Sequence, residues 1–253
     1  MERITSRKNK YVVHLRTLGS DSAYRREQGE YLCEGEKLLE EALRFGADIR
    51  CVLWADEPTA DVPASEQFSV PAELLDYVSP LKNTRGPLYS IRIPDPGSTA
   101  LRNAIVLEDV QDPGNVGTVI RTASAFDIDA VLLVGDCADP YNFKTVRSTM
   151  GAIFRQHILS VDRAELLPLL RENGLKLFGA ALTDSAVDIR RTELSHAAVA
   201  IGSEGHGLSP EILAMCDGQI IIPMMPHSES LNAAVAASVA MWEMNGGALP
   251  CPD

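Results

Sequence analysis

Hydrophobic positions change their spacing repeatedly along the chain. Between residues 104 and 222, short continuous apolar runs alternate with segments whose apolar residues recur every three or four positions. The runs predict strands at 104–107, 130–134, 156–159, 177–181, 198–201 and 219–222. The periodic segments predict helices at 115–126, 143–149, 163–172, 210–215 and 230–244. Strands of near-unbroken Val, Ile, Leu and Ala are buried on both faces. Their alternation with helices therefore predicts a doubly wound parallel α/β domain. The N-terminal pattern is looser. It predicts helix 10–18, a strand at 31–33 and helix 35–45, whose apolar stripe is Leu38, Leu39, Ala42 and Leu43. Strand 50–54, a helix around 72–77 and strand 88–91 complete a small α/β unit. The breaker run Ile93-Pro-Asp-Pro-Gly-Ser98 separates the two patterns and sets the expected domains at 1–97 and 98–253.

Polar chemistry concentrates where predicted strands turn into helices, the edge at which open α/β folds bind ligands. The first junction runs from the strand at 104–107 through the turn Gln111 to Gly114 into a helix carrying Asn115 and Arg121. The second runs from Ile201 through Gly202, Glu204, Gly205 and Gly207 to Ser209 and Pro210, a normal N-cap and first-turn pair. Glycines in such a loop let a ligand approach the backbone. The loop is neither Gly-x-Gly-x-x-Gly nor a P-loop with its lysine, and Glu204 would repel a phosphate. A cofactor with a positive centre, or a carboxylate orienting a neighbour, suits it better; a tight turn with a capping acid is the bland reading. The third junction leads from Ile222, Pro223 and Met224 into a helix expected to begin near Ser230. Ser230 and Asn232 then lie at its N-terminus, where backbone N–H groups attract anions. Ala233, Ala234, Ala236, Ala237 and Ala240 form a small-residue face suited to close helix packing or dimerisation. His227 reads as an exposed loop histidine rather than a base.

Composition narrows the function classes. No apolar run reaches the ~18 residues of a membrane span, and the polar N-terminus lacks a signal core, so export is not expected. Five scattered cysteines, with no Cys-x-x-Cys pair, argue against a disulfide framework or structural zinc and fit a reducing cytoplasm. Cys251 reads as part of a frayed tail. The net charge of −12 disfavours a nucleic-acid partner until its distribution is considered. Arg3, Arg7, Lys8, Lys10, Arg16, Arg25 and Arg26 face only Glu2 and Asp21 within the first 26 residues. That asymmetry fits a localised RNA contact on an acidic body, or simply a solvated basic helix face.

Together the junctions carry a family resemblance. Asn115-x-Gly117-x-x-x-Arg121-x-Ala123, Gly202-x-Glu204-x-x-Gly207, and Ile222-Pro-Met224 followed by Ser230-Leu231-Asn232-x-x-x-Ala236 resemble the three motifs of SpoU/TrmH-type RNA ribose 2′-O-methyltransferases of the SPOUT superfamily. Ser148-Thr-Met-Gly151-Ala152-Ile-Phe154 resembles a further family element. Ile4-Thr-Ser6, Tyr24-Arg25-Arg26, Glu34-Gly35-x-Lys37 and Thr84-x-Gly86 resemble, more loosely, a ribosomal-protein-like substrate-binding domain. The resemblance implies a C-terminal trefoil knot, a homodimer with the helices at 115–126 and 230–244 near its interface, and methyl transfer from S-adenosylmethionine to a ribose hydroxyl without a metal. It implies a cofactor site of Leu182, Thr183, Ile201, Gly202, Glu204, Gly207, Ile222, Met224, Ser230, Leu231 and Ala236. Arg121, Asn115, Glu204, Ser230 and Asn232 are the implied catalytic set, and Arg7, Lys8, Arg25, Arg26 and Arg121 the implied RNA contacts. Because guanidinium stays protonated, Arg121 reads as a stabiliser of developing negative charge on the sugar oxygen; a role as true base stays open and would need strong desolvation. The extra N-terminal domain favours ribosomal over transfer RNA. A nicotinamide dehydrogenase lacks support, since no Gly-x-Gly-x-x-Gly follows a strand. A base methyltransferase of the same superfamily and a silent RNA-binding or assembly factor stay open, the latter disfavoured by so complete a motif set.

Overall fold

The computed structural model describes residues 1–246 apart from Pro96, Ser98, Thr99, Pro226, Ser228 and Glu229. Part of the breaker run, Cys251 and part of the third junction's loop therefore lie outside the described residues. Two compact units form: Met1–Asp95 with Asp139–Arg155, and Pro96–Ala138 with Gln156–Asp253. The second piece of the first unit comes from a stretch expected within the 98–253 domain.

In chain order, the first unit contains β1 (Glu2–Arg3), α1 (Lys10–Ser20), α2 (Ser22–Gln28), β2 (Glu30–Glu34), α3 (Glu36–Arg44), β3 (Ile49–Trp54), β4 (Glu66–Ser69), α4 (Ala72–Val78) and β5 (Leu88–Arg92), then α6 (Phe143–Ser148) from its second piece. Its sheet runs β1-β4-β3-β5-β2. β5 is antiparallel to both neighbours, and the remaining pairs are parallel. Helix α1 starts where Asn9 accepts a hydrogen bond from the Tyr11 amide at 2.9 Å. Asp21 breaks α1 from α2 and caps the latter by accepting from the Tyr24 amide at 3.0 Å. Neither α2 nor β4 was expected: both are polar, and their order comes from caps and sheet pairing rather than from an apolar period.

Arg25 overturns one expectation. It is 2 % exposed, and its Nε and Nη2 donate to Asp139 at 3.0 and 2.6 Å while Nη1 donates to the Leu18 carbonyl at 2.7 Å. A guanidinium so committed is structural and unavailable to an RNA phosphate. Arg7, Lys8 and Arg26 are exposed, and the Arg7 guanidinium lies 4.5 Å from the Tyr77 ring centroid. Tyr141, near Asp139, packs its ring 5.0 Å from that of Tyr31.

The second unit contains β6 (Ala104–Glu108), α5 (Pro113–Ala125), β7 (Ala130–Val134), β8 (His157–Val161), α7 (Arg163–Glu172), β9 (Lys176–Ala180), β10 (Val187–Asp188), β11 (Ala197–Ile201), α8 (Pro210–Met215), β12 (Gly218–Ile221) and α9 (Ala233–Met244). The seven strands are all parallel, in the order β10-β12-β9-β11-β6-β7-β8. This is the parallel α/β sheet that the apolar runs predict. β6, β7 and β11 are buried at every residue, each large aliphatic side chain contributing about 1.5–3 kcal/mol. Among the described residues no helix is long and apolar enough to cross a membrane.

Helix α9 starts later than its apolar pattern suggested. Asn232 is its cap, accepting from the amides of Ala234 at 2.9 Å and Val235 at 3.2 Å. Ser230 precedes the helix, and the first-turn amides are satisfied internally, so the anticipated anion site at a Ser230 N-terminus is not formed. The alanine face is likewise spent inside the chain. Ala233, Ala234, Ala237 and Ala240 are buried, and α9 packs on α5 and β11. Val235 and Trp242 are the large apolar residues of α9 left exposed.

Candidate active site

The site grows from the C-terminal ends of β6, β7, β11 and β12. At the end of β6, Glu108 is 1 % exposed. It accepts from Arg163 Nε at 3.0 Å and from the Ser209 amide and hydroxyl at 2.8 and 2.7 Å. Ser209 also caps α8, accepting from the Ile212 amide at 3.2 Å. One buried carboxylate thus ties the end of the 202–209 loop to the central strand. The loop is pinched at its base, where the Gly207 amide donates to the Ser203 carbonyl at 2.8 Å. A Cβ on Gly202 would lie 2.0 Å from the Gly207 carbonyl carbon. The close approach that demands this glycine is therefore made by the chain itself.

At the tip of the loop the three junctions meet. Asp112 caps α5 by accepting from the Asn115 amide at 2.9 Å, which aims the Asn115 side chain across the cleft. Asn115 Nδ2 donates to Glu204 Oε1 at 2.8 Å, and Asn232 Nδ2 donates to Asn115 Oδ1 at 3.1 Å and also to Glu204 Oε1. The Ala233 amide reaches the same carboxylate oxygen at 3.4 Å. Glu204 therefore orients both asparagines instead of confronting a phosphate. Residues 89 and 117 positions apart in sequence converge on one point.

Beside this cluster lies a cavity of about 390 Å³ whose lining includes Leu182, Thr183, Ile201, Gly202, Glu204, Gly207, Ile222, Met224, Ser230, Leu231 and Ala236. All eleven residues expected around a cofactor line it. Its volume falls within the ~300–1,000 Å³ typical of small-molecule sites. Its walls are mainly aliphatic, no Lys or Arg is among its described lining residues, and a carboxylate stands at its edge. That donor set fits a ligand with an apolar body and a positive centre, and it fits a nucleotide phosphate poorly. Thr183 is fixed at the rim by donating to Gln219 Oε1 at 2.5 Å.

Arg121 is not brought to this point. It is exposed on α5 and lines neither this cavity nor the second one described below. Six residues beyond Asn115, it is about 240° around the helix. His227 is an exposed turn residue. Glu108, Gln111, Asp136 and His206 escaped sequence reasoning as site residues. Asp136 follows the C-terminal end of β7, so the strand-end rule was the available signal.

This geometry defines a class: a parallel-sheet α/β domain with an Asn–Glu–Asn cluster beside a cofactor-sized cleft. The sequence model of the SpoU rRNA Methylase family matches residues 102–242. The chain is 31% identical to the 23S rRNA (guanosine(2553)-2′-O)-methyltransferase of Bacillus subtilis, over 97% of this chain and 100% of that protein. The chain belongs to the SpoU rRNA methylase family. Among solved structures, an AdoMet-bound rRNA methyltransferase from Sinorhizobium meliloti superimposes with a TM-score of 0.86 at 25% identity, covering 98% of this chain and 99% of the other. A SpoU methyltransferase from Streptomyces viridochromogenes in complex with AdoMet shares the fold, with a TM-score of 0.85 at 22% identity, over 94% of this chain and 98% of the other.

Proposed function

We propose that this protein methylates a ribose 2′-hydroxyl of ribosomal RNA, using S-adenosylmethionine held in the cavity between Ile201 and Met224. The observation that carries this reading is the Asn115–Glu204–Asn232 cluster standing at the edge of a cleft whose described lining holds no Lys or Arg. When bound, the cofactor supplies a methyl group on a cationic sulfur that an oxygen nucleophile can accept. The protein's own part is then positioning and charge. Aliphatic walls give the cofactor's apolar parts a matching surface. Glu204 locks the two asparagine amides so that they present fixed polar atoms to the incoming sugar. Ser230, at the rim, offers a hydroxyl to the same nucleotide.

Arg121 is the group suited to stabilising negative charge on the sugar oxygen, yet it lies outside its own chain's cleft. Its use therefore requires a second copy. We place α5 and α9, with exposed Val235 and Trp242, at a homodimer interface through which Arg121 enters the partner's site. In this reading the C-terminal segment forms the family's trefoil knot. The unit of Met1–Asp95 with Asp139–Arg155, larger than the expected 1–97 domain by its second segment, forms the RNA-binding domain, with Arg7, Lys8 and Arg26 as phosphate contacts, and the other unit forms the methyltransferase domain. Unpaired thiols at the described cysteines, together with an rRNA substrate, support a cytoplasmic location.

The test is transfer of tritiated methyl from S-adenosylmethionine to ribosomal RNA of cells lacking this gene. The expected product resists alkaline cleavage at the modified nucleotide; incorporation that leaves alkali sensitivity intact would indicate a base methyltransferase instead. Mixing inactive Asn115→Ala with inactive Arg121→Ala should restore about one quarter of wild-type activity, because half the dimers then hold one complete site. No restoration would place Arg121 in its own chain's site.

A further inference from the structure

A second cavity, of about 690 Å³, adjoins the first and shares Ser203, Glu204, His206, Gly207 and Leu208 with it. Asn115 and Glu204 stand in its wall, so a nucleoside whose sugar meets that cluster has space for its base on this side. The far wall is built from the turns after β6 and β7, with Gln111 and Asp136 facing each other there: Gln111 Nε2 donates to Asp136 Oδ2 at 2.8 Å. The pair is held from behind. Asp109, with φ of +54°, accepts from the Asp136 amide at 2.6 Å and from Arg163 Nη2 at 2.7 Å. A Cβ on Gly135 would meet Asp109 Oδ1 at 2.2 Å. Among the described residues, no group of three His, Cys, Asp or Glu side chains is arranged to hold a metal ion.

We propose that Gln111 and Asp136 read the target base and select guanine, an inference that rests on the ribose-methyltransferase reading above. Gln111 Nε2 keeps a second N–H beyond the one it gives Asp136. Followed by the two carboxylate oxygens, it offers a row of one donor and two acceptors. Guanine presents the complementary row on its Watson–Crick edge: the O6 acceptor, then the N1 and N2 donors. The 2.8 Å spacing is close to the separation of neighbouring polar atoms on a base edge. Cytosine carries the same row as the protein pair and is repelled. Uracil turns its O2 carbonyl against the carboxylate. Adenine places an acceptor where an acceptor already stands. A carboxylate on this wall also rejects the RNA backbone, so the base and not a phosphate enters. Enzymes acting on an extruded nucleotide read its Watson–Crick edge in this way.

The test uses the full-length protein, tritiated S-adenosylmethionine and ribosomal RNA from cells lacking this gene, with nucleoside analysis of the product. Radioactive 2′-O-methylguanosine is expected. A labelled 2′-O-methyluridine, -cytidine or -adenosine would overturn the guanine assignment while leaving the methyltransferase reading intact. Absence of any labelled ribose would remove both. In the same assay Asp136→Asn should lower kcat/KM for RNA about 10- to 100-fold, the range for losing one bidentate base contact. Gln111→Ala should lower it less, since one bond to O6 is lost. Calorimetric affinity for S-adenosylmethionine should stay within about twofold in both variants. A tenfold weaker S-adenosylmethionine affinity in Asp136→Asn would assign the cavity to the cofactor's ammonium group and overturn the proposal.

Discussion

Replacing Glu108 by Gln tests whether the buried carboxylate organises the cofactor loop. Glu108 accepts three hydrogen bonds, two from Ser209 and one from Arg163. Glutamine keeps one carbonyl oxygen and turns an NH2 group toward at least one of those donors. One or two charge-assisted bonds are lost, at about 1.5–3 kcal/mol each. Arg163 is 34% exposed in its side chain and keeps its contact with Asp109, so solvent recovers part of the loss. The net cost is then about 2–4 kcal/mol. In a chain of this size that lowers Tm by about 5–15 °C. Because the same bonds hold Ser209 at the end of the 202–209 loop, S-adenosylmethionine should bind about 5- to 30-fold more weakly as the loop samples other conformations. Scanning calorimetry and isothermal titration read the two effects separately. Ser209→Ala should fall between wild type and Glu108→Gln, at about 0.5–2 kcal/mol for the lost cap. An unchanged Tm together with an unchanged S-adenosylmethionine affinity in Glu108→Gln would refute the anchoring role.

Arg25→Met leaves Asp139 and the Leu18 carbonyl without their partner. It should cost about 2–4 kcal/mol, below the full value for a broken buried pair because Asp139 is partly exposed; a urea midpoint equal to wild type would contradict this. Gly202→Ala places a methyl group against the backbone of Gly207 and should abolish measurable S-adenosylmethionine binding, whereas wild-type affinity would show that the loop can yield. Burial pushes the Cys33 thiol well above its ordinary pKa and the Cys51 thiol up to about 12. Both should resist maleimide at pH 8 in the native protein and react after denaturation, as peptide mapping would show. Since these folded-state pKa values are raised, their contribution to stability is complete below about pH 9 and should decline at higher pH.

The second unit was largely legible because its strands are continuous apolar runs and its helices keep a clear period. Helix 163–172 was expected with the bounds that α7 shows, and β7 likewise. The meeting of Asn115, Glu204 and Asn232 was foreseeable only from the three junctions taken together, since nothing local links positions so far apart in sequence. Other features depend on tertiary pairing that no periodicity records. Arg25 has the composition of a surface cation, yet Asp139 draws it inside. Ser230 resembles a helix start because it stands just ahead of the alanine-rich stretch, but Asn232 is the cap and shortens α9. The alanine face predicts a close neighbour correctly in kind; that neighbour is α5 of the same chain. Gln111 and Asp136 belong to different turns, and neither is distinctive until the sheet sets the turns side by side.

The first unit is interrupted in sequence. Arg25 finds its counter-ion, and Tyr31 its ring neighbour, on a segment that begins more than forty residues after Asp95. A fragment cut near residue 97 would therefore keep a charged side chain in its interior with nothing to neutralise it. It would also bare one side of β2, where α6 packs. Gene fusion or domain exchange at that point would transfer an incomplete module. A rearrangement that keeps the first unit whole must carry Asp139–Arg155 along with Met1–Asp95.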